Sequence, residues 1–552
     1  MTESLWFSAV PRIQEELHFD DRRIRCFADR PRSVYALLSD AVARFPEGEA
    51  LVDGDLRLRW HEVQARSDEL ATGLAGAGLV PGDRAALVLG NSASFVTIIF
   101  ALARIGVIAV PIGTRSSASE IAYMLENSGC CAVFCDSETV ARLPDAALLP
   151  GVRLRVCLSQ QPGCQALDEI ALAGRGAAPV EAYAGSEEDA AYILYTSGTT
   201  GRPKGAILTS LGVVHSSMHY EACMGLGPAD RSVISVPMSH VTGLVALVLT
   251  AVRCAMTLIV MPAFKAKLFL QLAERERMTH TLMVPAMYNL CLLQPDFSGP
   301  ALKSWRLGAY GGAPMPPATI EALASKLGGL ELMNAYGATE TTSPATMTPP
   351  GSTASHTDTV GISVPCAEII IADFDGTPLP TGTSGEIWIR GPMVVKGYWQ
   401  NPTATAESFT DGFWHSGDIG TMDDSGFVRI LDRIKDVINR GGYKVFSSEV
   451  EAVLASHPQV IESAVVGRPC PVLGERVHAF VVVRDGASAD SLKMFCAERM
   501  SDYKVPETFT LSSEPLPRNA NGKLLKRQMR DAATEAAQAF FEKHPVRPVE
   551  NK

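Results

Sequence analysis

The stretch "YILYTSGTTGRPKG" runs from Tyr192 to Gly205 and joins an apolar, strand-like segment to a loop of hydroxyls, glycines and one lysine. Glycines let backbone amides approach an anion, and Lys204 adds a mobile positive charge. This composition favours a loop that holds phosphate groups. A plain surface loop between two strands has a similar composition and stays an alternative for the stretch taken alone.

The loop is not of the Walker A type found in many nucleotide triphosphatases. A Walker A loop places G-x-x-x-x-G-K-[ST] at the start of a helix. Here Lys204 follows a proline, and the chain continues as the apolar, β-branched "AILTS". A second strand is therefore predicted after the loop.

The composition predicts a globular protein of two or three domains. The chain has 552 residues, of which 47% are hydrophobic and 20% are charged, with a formal net charge of −11. No basic run or basic–aromatic cluster stands out, which argues against a nucleic-acid partner.

The twelve cysteines follow no disulfide framework, and Cys130, Cys131 and Cys135 lack the spacing and histidines of a zinc site. We expect buried free thiols in a reducing cytoplasm. The segment "MTESLWFSAVPRIQEE" lacks a signal-peptide pattern, and "HPVRPVENK" is not a peroxisomal ending. The predicted location is cytoplasmic.

Two long apolar stretches resemble membrane spans in hydrophobicity, "FVTIIFALARIGVIAVPIG" from Phe95 and "GLVALVLTAVRCAMTLIVMPAF" from Gly243. Each contains an arginine and divides into a helix-length segment and a β-branched strand. Both are predicted to be buried helix–strand units, with no membrane span.

Strand-like runs alternate with helical segments, which predicts an α/β fold; the runs are "RAALVLG", "VIAVPI", "CAVFCD", "YILYTSG", "SVISVP", "MTLIVMP", "HTLMVP" and "WRLGAYGG". From about Ala367, short strands with glycine and proline turns indicate a β-rich subdomain. A helix with a serine cap is predicted at Ser447, followed by strands of a small α/β unit. We place a domain boundary near Lys435, between residues 1–434 and 435–552.

Five further polar, glycine-marked segments follow in order: "LGAYGGAPM" (Leu307–Met315), "NAYGATE" (Asn334–Glu340), "FWHSGDIG" (Phe413–Gly420), "DRIKDVINRGGYKVFSSEVE" (Asp432–Glu451) and "LPRNANGK" (Leu516–Lys523). Together they resemble the adenylate-forming superfamily of acyl-CoA synthetases, adenylation domains and firefly-type luciferases. The resemblance extends from "PGDRAALVLGNSASF" to "NGKLLKR". It implies a large N-terminal domain of two α/β subdomains plus a β-rich subdomain, then a small mobile α/β lid.

The resemblance also implies the chemistry. Such enzymes use a carboxylate to attack the α-phosphate of ATP, which releases pyrophosphate, and a thiol then displaces AMP from the acyl-adenylate. ATP, Mg²⁺ and CoA are the expected small-molecule partners, beside a carboxylic acid, and a homodimer is left open.

The same resemblance assigns roles around the nucleotide. Glu340 would ligate Mg²⁺ beside Thr339, and Tyr336 would stack on adenine opposite the Gly311–Ala313 backbone. The residues expected to bind ATP and AMP are Thr196, Ser197, Gly198, Thr199, Thr200, Gly201, Lys204, Gly311, Gly312, Ala313, Asn334, Ala335, Tyr336, Gly337, Asp418 and Arg433.

Toward the C-terminus, Asp418 would bind the ribose hydroxyls, since one carboxylate has two acceptor oxygens. Arg433 would contact ribose or phosphate, and Lys523 would bridge the substrate carboxylate and the α-phosphate. Lys435 occupies the hinge position of the lid, and Gly441 with Gly442 would line the pantetheine tunnel. Taken alone, the segments "SGD" and "NGK" are also ordinary turn sequences.

The expected acyl pocket contains no charged side chain, which favours a neutral aliphatic or aryl acid; its residues are His240, Val241, Tyr288, Ala309, Tyr310, Ala335, Thr342 and Ser343. His240 would separate pocket and thiol tunnel. Ser235, Val236 and Pro237 include no aspartate for an amino group, which argues against a peptide-synthetase domain.

Free CoA is the expected acceptor, because "ADSLKMF" is interpreted as a helix start and no carrier domain follows. A stand-alone enzyme that loads a carrier protein and a luciferase-like oxygenase remain alternatives. Two positions depart from the common family pattern: Ser210 stands where many relatives have histidine, and Asp432 where many have glycine.

Overall fold

The computed structural model describes residues 5–196, 202–297, 299–484, 486–518 and 524–543. Within these ranges helices and strands alternate, and the predicted mixed α/β class is confirmed. The strands are β1 (Ile13–His18), β2 (Arg22–Phe27), β3 (Glu49–Asp53), β4 (Leu56–Arg59), β5 (Arg84–Val88), β6 (Ile108–Pro111), β7 (Ala132–Cys135), β8 (Leu154–Cys157), β9 (Gln165–Ala166), β10 (Ala190–Thr196), β11 (Lys204–Thr209), β12 (Arg231–Ile234), β13 (Thr257–Val260), β14 (His280–Met283), β15 (Leu307–Tyr310), β16 (Glu331–Tyr336), β17 (Thr346–Met347), β18 (Ile362–Ser363), β19 (Glu368–Ala372), β20 (Gly385–Arg390), β21 (Phe409–Thr410), β22 (Phe413–Met422), β23 (Val428–Arg433), β24 (Ile438–Arg440), β25 (Tyr443–Val445), β26 (Val460–Cys470), β27 (Gly474–Val483) and β28 (Thr508–Ser512).

Most of the helices bury an apolar face, whereas the helix at Pro402–Ser408 has no buried residue. The helices are α1 (Val34–Arg44), α2 (Trp60–Gly76), α3 (Ala93–Arg104), α4 (Ala118–Ser128), α5 (Leu167–Arg175), α6 (Ser210–Met224), α7 (Thr250–Cys254), α8 (Ala266–Arg275), α9 (Pro285–Leu292), α10 (Pro317–Lys326), α11 (Pro402–Ser408), α12 (Ser447–Ala455), α13 (Ala489–Ala497) and α14 (Lys526–Lys543).

Two large sheets carry the first part of the chain. One has the strand order β11-β10-β6-β5-β7-β8-β9, and the other β18-β17-β16-β15-β14-β12-β13-β3-β4. Their central strands are parallel and almost fully buried, as expected of strands covered by helices on both faces. The eight strand-like runs of the sequence all coincide with strands of these two sheets.

Both apolar stretches are buried helix–strand units, as predicted. The first is α3 followed by β6, and Ser92 caps α3 by accepting a hydrogen bond from the Phe95 amide at 3.2 Å. The second begins differently from expectation, with a π-helix over Thr242–Leu249 before α7 and β13. The Thr250 hydroxyl donates to the Val245 carbonyl, five residues earlier, at 2.9 Å, which fits the wider turn. None of the helices in the described ranges is long and apolar enough to cross a membrane.

The chain forms two compact units. The first comprises Met1–Ile370, Trp388–His415 and Asp423–Val428, and it contains both large sheets. The second comprises Ile371–Ile387, Ser416–Met422 and Arg429–Lys552. The domain boundary near Lys435, which is inferred from a change in the sequence pattern, stays a prediction.

Within the second unit, a sheet of order β25-β24-β27-β26, with β28 parallel to β27, packs on α12 and α13. Its core is aliphatic and includes Ile438, Val445, Val450, Leu454, Val465, Val477 and Val481. The segment "ADSLKMF" starts α13, with Ser488 as its N-cap, so its interpretation as a helix start is confirmed. The strands predicted after Ser447 are also present as β26 and β27.

The prediction that a serine caps the helix at Ser447 is wrong. Ser447 is the first helical residue, and its amide donates to the carboxylate of Asp432, which also accepts from the Ser447 hydroxyl at 3.2 Å. Asp432 is 6% exposed. A carboxylate from a preceding strand thus satisfies the amides at the start of α12, a position where negative charge is favourable.

All twelve cysteines are free, and all except Cys164 are buried, as the sequence predicted. A group with metal-ligand atoms within 4.8 Å of one another is formed by Glu16, His18 and Cys26. Arg30 donates to both carboxylate oxygens of Glu16 at 2.7 Å, and burial raises the pKa of the Cys26 thiol to about 12. Glu16 is therefore held in an ion pair with Arg30, and Cys26 stays a protonated thiol.

Candidate active site

The glycine-rich loop joins two antiparallel strands, β10 and β11. Thr196 pairs with Lys204 across the hairpin, and its hydroxyl donates to the Lys204 carbonyl at 3.4 Å. The structure therefore fixes both ends of the loop. The intervening predicted residues, Ser197, Gly198, Thr199, Thr200 and Gly201, lie outside the described residues.

A segment from much later in the chain pairs with β11 on its other edge. The Trp399 amide donates to the Gly205 carbonyl at 2.7 Å, and the Ile207 amide donates to the Gly397 carbonyl at 3.0 Å. This pairing places Tyr398 opposite Ala206. The ammonium nitrogen of Lys204 consequently lies 4.2 Å from the centre of the Tyr398 ring, within the range of a cation–π contact.

Tyr398 also contacts the predicted magnesium ligand. Its hydroxyl donates to Oε1 of Glu340 at 2.8 Å, and both side chains are largely buried. Burial, with the Glu340 charge as a second cause, raises the pKa of Tyr398 well above its ordinary value, so the phenol stays protonated and remains a donor. Lys204, Tyr398 and Glu340 therefore form one connected group.

Glu340 lies in a 3-10 turn over Thr339–Thr341 that follows β16. Its carbonyl accepts from the Val395 amide at 2.9 Å, and the Thr341 hydroxyl accepts from the Ala338 amide at 2.9 Å. Oε2 of Glu340 has no hydrogen-bond partner among the described residues. A carboxylate oxygen in this state suits a hard cation such as Mg²⁺, which prefers oxygen ligands.

The segments predicted to flank adenine lie side by side, at the carboxyl ends of the parallel strands β15 and β16. Gly311 follows β15 so closely against β16 that a Cβ atom there would be 2.4 Å from the Ala335 carbonyl oxygen. Only glycine permits this approach. Tyr336, at the end of β16, is partly buried, whereas Gly312 and Ala313 are exposed.

Asn334 and Gly337 frame the end of β16. The Asn334 side chain donates to the Thr359 carbonyl at 3.3 Å, which binds the strand to a later loop. A Cβ atom at Gly337 would be 2.9 Å from the Thr341 hydroxyl oxygen. Gly337 therefore allows the turn that carries Glu340 to lie close to the end of β16.

His240 is partly buried and immediately precedes Val241 and the π-helix. The preceding loop is held by Asn91, which is 8% exposed and lies just before α3. Its amide donates to the Val236 carbonyl at 2.9 Å and its carbonyl accepts from the Met238 amide at 2.8 Å. A buried amide thus fixes the chain that leads to His240.

The remaining residues predicted for the acyl pocket lie at or beside the carboxyl edge of the nine-stranded sheet. Tyr288 is fully buried and donates to the Ala309 carbonyl at 2.8 Å. Burial raises the pKa of Tyr310 to about 12. Ser343 forms a 2.8 Å hydrogen bond with Tyr220. Thr342 is fully buried, and its hydroxyl has no partner within the described ranges.

The other predicted residues belong to the second compact unit. Asp418 and Arg433 are brought together there, with 3.0 Å between Oδ1 and Nε. Lys435 is exposed in a 3-10 turn over Ile434–Asp436, and its carbonyl accepts from Arg530 at 2.9 Å.

Gly441 and Gly442 form the tight turn between β24 and β25. Their φ angles are 58° and 91°, which glycine adopts without steric cost. Lys523, the predicted catalytic lysine, lies outside the part of the chain that the structure describes. Arg518 and Leu524 form a bridge on either side of it.

Sequence reasoning missed Tyr398 and Asn91. Both lie in short polar segments that directly follow apolar ones, in "MVVKGYWQN" and "ALVLGNSASF". The glycine before each was an available signal, since polar residues at such positions often fix a turn. The partners of each residue are too distant in sequence to infer from that signal.

Two family models match the chain: AMP-binding enzyme over residues 38–399, and AMP-binding enzyme C-terminal domain over residues 449–523. A long-chain-fatty-acid–CoA ligase, FadD13 of Mycobacterium tuberculosis, is 32% identical, with 86% of this chain and 93% of the relative covered. A feruloyl-CoA synthase of Amycolatopsis is also 32% identical, with 88% and 96% covered.

Among solved structures, o-succinylbenzoate CoA synthetase (MenE) of Bacillus subtilis, in complex with the acyl-adenylate intermediate OSB-AMP, superimposes with a TM-score of 0.80. It is 31% identical and covers 90% of this chain and 98% of its own. The same enzyme has been solved with ATP and magnesium ion, at a TM-score of 0.79.

The fold is that of an adenylate-forming enzyme. The chain belongs to the AMP-binding enzyme family, and within it the chain is an AMP-forming acyl-CoA ligase.

Proposed function

We propose that this chain joins a carboxylic acid with a neutral aliphatic or aryl tail to free CoA. The acid is first adenylated by ATP with release of pyrophosphate, and the CoA thiol then displaces AMP. The observation that carries this proposal is the group Lys204–Tyr398–Glu340, which sets one cation and one carboxylate at the base of the glycine-rich loop.

In the adenylation step, an anionic carboxylate approaches the polyanionic ATP, so positive charge must be concentrated at the phosphates. Lys204 supplies one such charge next to the loop. Glu340, beside Thr339, would hold Mg²⁺ through its carboxylate. When bound, Mg²⁺ neutralises charge on the phosphate oxygens.

Adenine would lie at the carboxyl edge of β15 and β16, between the Gly311–Ala313 backbone and Tyr336. The close approach of Gly311 to the Ala335 carbonyl brings the backbones of the two segments together at this edge, which supports their assignment to one ligand. Asp418 would accept hydrogen bonds from the ribose hydroxyls, and Arg433, already paired with Asp418, would contact ribose or phosphate.

The tail of the acid would contact apolar and neutral polar groups only. Of the residues assigned to the pocket, none carries a formal charge at neutral pH apart from the titratable His240, so a second carboxylate would find no arginine partner. The relatives include enzymes named for a fatty acid and for an aryl acid, and both kinds fit such a pocket.

The second step requires the thiol to reach the adenylate. We propose that the lid formed by residues 435–552 rotates about Lys435, so that Lys523 serves adenylation and the turn at Gly441 and Gly442 then lines the thiol tunnel. A cytoplasmic location and a homodimer are proposed with it. The twelve free thiols support a reducing compartment.

The decisive experiment supplies purified protein with ATP, Mg²⁺, CoA and a panel of fatty, aryl and dicarboxylic acids. We expect AMP, pyrophosphate and the acyl-CoA of a monocarboxylic acid. Formation of ADP in place of AMP would overturn the reaction, and a preference for dicarboxylic acids would overturn the neutral pocket. AMP release that depends on a carrier protein and not on CoA would identify a carrier-loading enzyme.

A further inference from the structure

Tyr398 connects the two charged groups on which the proposed nucleotide site depends. Because Lys204 and Ala206 are two residues apart on β11, their side chains share one face of the strand. Tyr398 pairs opposite Ala206, so its ring comes under the Lys204 ammonium at 4.2 Å. Its hydroxyl meanwhile donates to Glu340 Oε1 at 2.8 Å.

Tyr398 is itself held in one position. Its amide donates to the Thr405 hydroxyl at 3.0 Å, and that hydroxyl donates to the Asn401 carbonyl at 2.9 Å. The Phe409 ring packs against it edge-on at 5.9 Å between centroids. With 5% of its surface exposed, the side chain has little freedom to turn away from its two partners.

The hydrogen bond also divides the two oxygens of Glu340 between different tasks. Oε1 accepts from the tyrosine, whereas Oε2 has no protein partner in the described ranges. A carboxylate fixed through one oxygen presents the other in a defined direction, as the groups that support metal ligands generally do.

We propose that Tyr398 is a positioning residue for adenylation: its hydroxyl orients Glu340 toward the divalent cation, and its ring orients the Lys204 ammonium toward the phosphates. This inference rests on the proposed function. The two contacts make different predictions, since the hydroxyl acts only when the cation is present, whereas the ring acts on ATP with or without it.

The test is the affinity for ATP, measured by calorimetry once with Mg²⁺ and once with EDTA, for the full chain without acid or CoA. Tyr398→Phe keeps the ring and removes the donor to Glu340. We expect the gain in affinity that Mg²⁺ provides to fall about tenfold, as for the loss of one hydrogen bond to a charged group. The affinity in EDTA should stay within about twofold of the parent.

Tyr398→Leu removes the ring as well. It should lose the same metal-dependent gain and, in addition, weaken ATP binding in EDTA by about threefold or more, the scale of one cation–π contact. Tyr192→Phe is the matched control, because Tyr192 is a buried tyrosine whose hydroxyl has no hydrogen-bond partner among the described residues. Its ATP affinities should equal those of the parent under both conditions.

If Tyr398→Phe retains the full metal-dependent gain, or loses affinity equally with and without Mg²⁺, the positioning role is wrong and the residue serves packing alone. Melting of each variant without ligand separates this outcome from unfolding. A parent protein that fails to bind ATP at all would instead contradict the proposed function, so the two failures are distinguishable.

Discussion

Arg433 donates from Nε to Oδ1 of Asp418 at 3.0 Å, so two residues that the sequence assigned separately to the nucleotide form one ion pair. The Asp418 side chain is 8% exposed and that of Arg433 is 46% exposed. The pair fixes the orientation of the carboxylate before a ligand arrives, and such pre-organisation lowers the entropic cost of binding.

Replacement of Asp418 by Asn should weaken the binding of both ATP and AMP by about 10- to 100-fold, because two charge-assisted hydrogen bonds to ribose become neutral ones. The fold should be retained, since Arg433 is half exposed and can be hydrated. Calorimetric titration with ATP and AMP measures the effect. Glu498→Gln, which removes an exposed ion pair with Arg499, is the control and should bind both nucleotides normally. If Asp418→Asn binds both nucleotides as tightly as the parent, Asp418 does not bind the ribose hydroxyls.

The cap on α12 yields a prediction about stability. Asp432→Gly leaves the Ser447 amide, which is fully buried, without its acceptor. Loss of the cap should lower the free energy of unfolding by about 1–2 kcal/mol. Asp432→Asn keeps one acceptor oxygen and should lose less.

Comparison of the melting midpoints of the two Asp432 variants with the parent tests this expectation. Equal midpoints in all three proteins would mean that water replaces the carboxylate at no cost. AMP release with ATP and acid should remain close to the parent value in Asp432→Asn, because the asparagine keeps an acceptor oxygen for the Arg433 amide, which donates to Asp432 Oδ1 at 2.7 Å.

How much of the fold and of the candidate site could be predicted from the sequence depends on whether the pattern that indicates it lies in consecutive residues. The buried parallel strands, such as β5, β6 and β7, were identified because fully buried strands are continuous apolar runs bounded by turns. The π-helix at Thr242–Leu249 could not be predicted. A segment that is apolar on every side has no hydrophobic periodicity from which the number of residues per turn could be inferred.

Contacts between segments that are distant in the sequence could not be predicted either. Ser447 looked like a cap because serine is common there, but Asp432 supplied a stronger acceptor from another strand. Tyr398 has no local pattern that points to Glu340, and only the pairing of its segment with β11 brings the two together. The glycine-marked loops, by contrast, carried their information in a few consecutive residues.

A buried histidine pair on α6 predicts a dependence of stability on pH. His215 donates from Nδ1 to the Leu211 carbonyl at 2.8 Å and accepts at Nε2 from the Phe27 amide at 3.1 Å, an arrangement that requires the neutral ring. Burial, with His219 nearby as a second cause, lowers the pKa of His215 well below 6.5. Burial likewise lowers the pKa of His219 to about 3.

Because the pKa of His215 is lower in the folded protein, the unfolded chain takes up the proton first as the pH falls through about 6.5. The contribution of His215 to the free energy of unfolding therefore does not change with pH above about 6.5. Below that pH it declines, by up to about 1.4 kcal/mol per pH unit. His215→Gln can keep both hydrogen bonds without titrating. Its melting midpoint should fall less than that of the parent between pH 7 and pH 5, and an equal fall would assign the acid sensitivity to other groups.

The last prediction concerns Lys523, which the sequence places at the tip of the turn "NANGK". The bridge between Arg518 and Leu524, together with a 2.9 Å hydrogen bond from the Leu525 amide to the Pro517 carbonyl, holds the two ends of that turn together. A lysine suits charge neutralisation between a carboxylate and the α-phosphate, because its ammonium is a compact donor on a long stem. After the acyl-adenylate has formed, that task is finished.

Lys523→Ala should therefore slow acyl-adenylate formation by on the order of 10²–10³, as expected for the loss of a contact to charge in the transition state. Thioester formation from synthetic acyl-adenylate and CoA should stay within about tenfold of the parent, a difference of roughly 1.4 kcal/mol in the barrier. Lys526→Met serves as the control within the same unit, because the Lys526 ammonium is occupied by Glu451 at 2.6 Å. It should affect the two half-reactions alike. Comparable losses in both half-reactions of Lys523→Ala would mean that the lysine stabilises the C-terminal unit and does not act in adenylation.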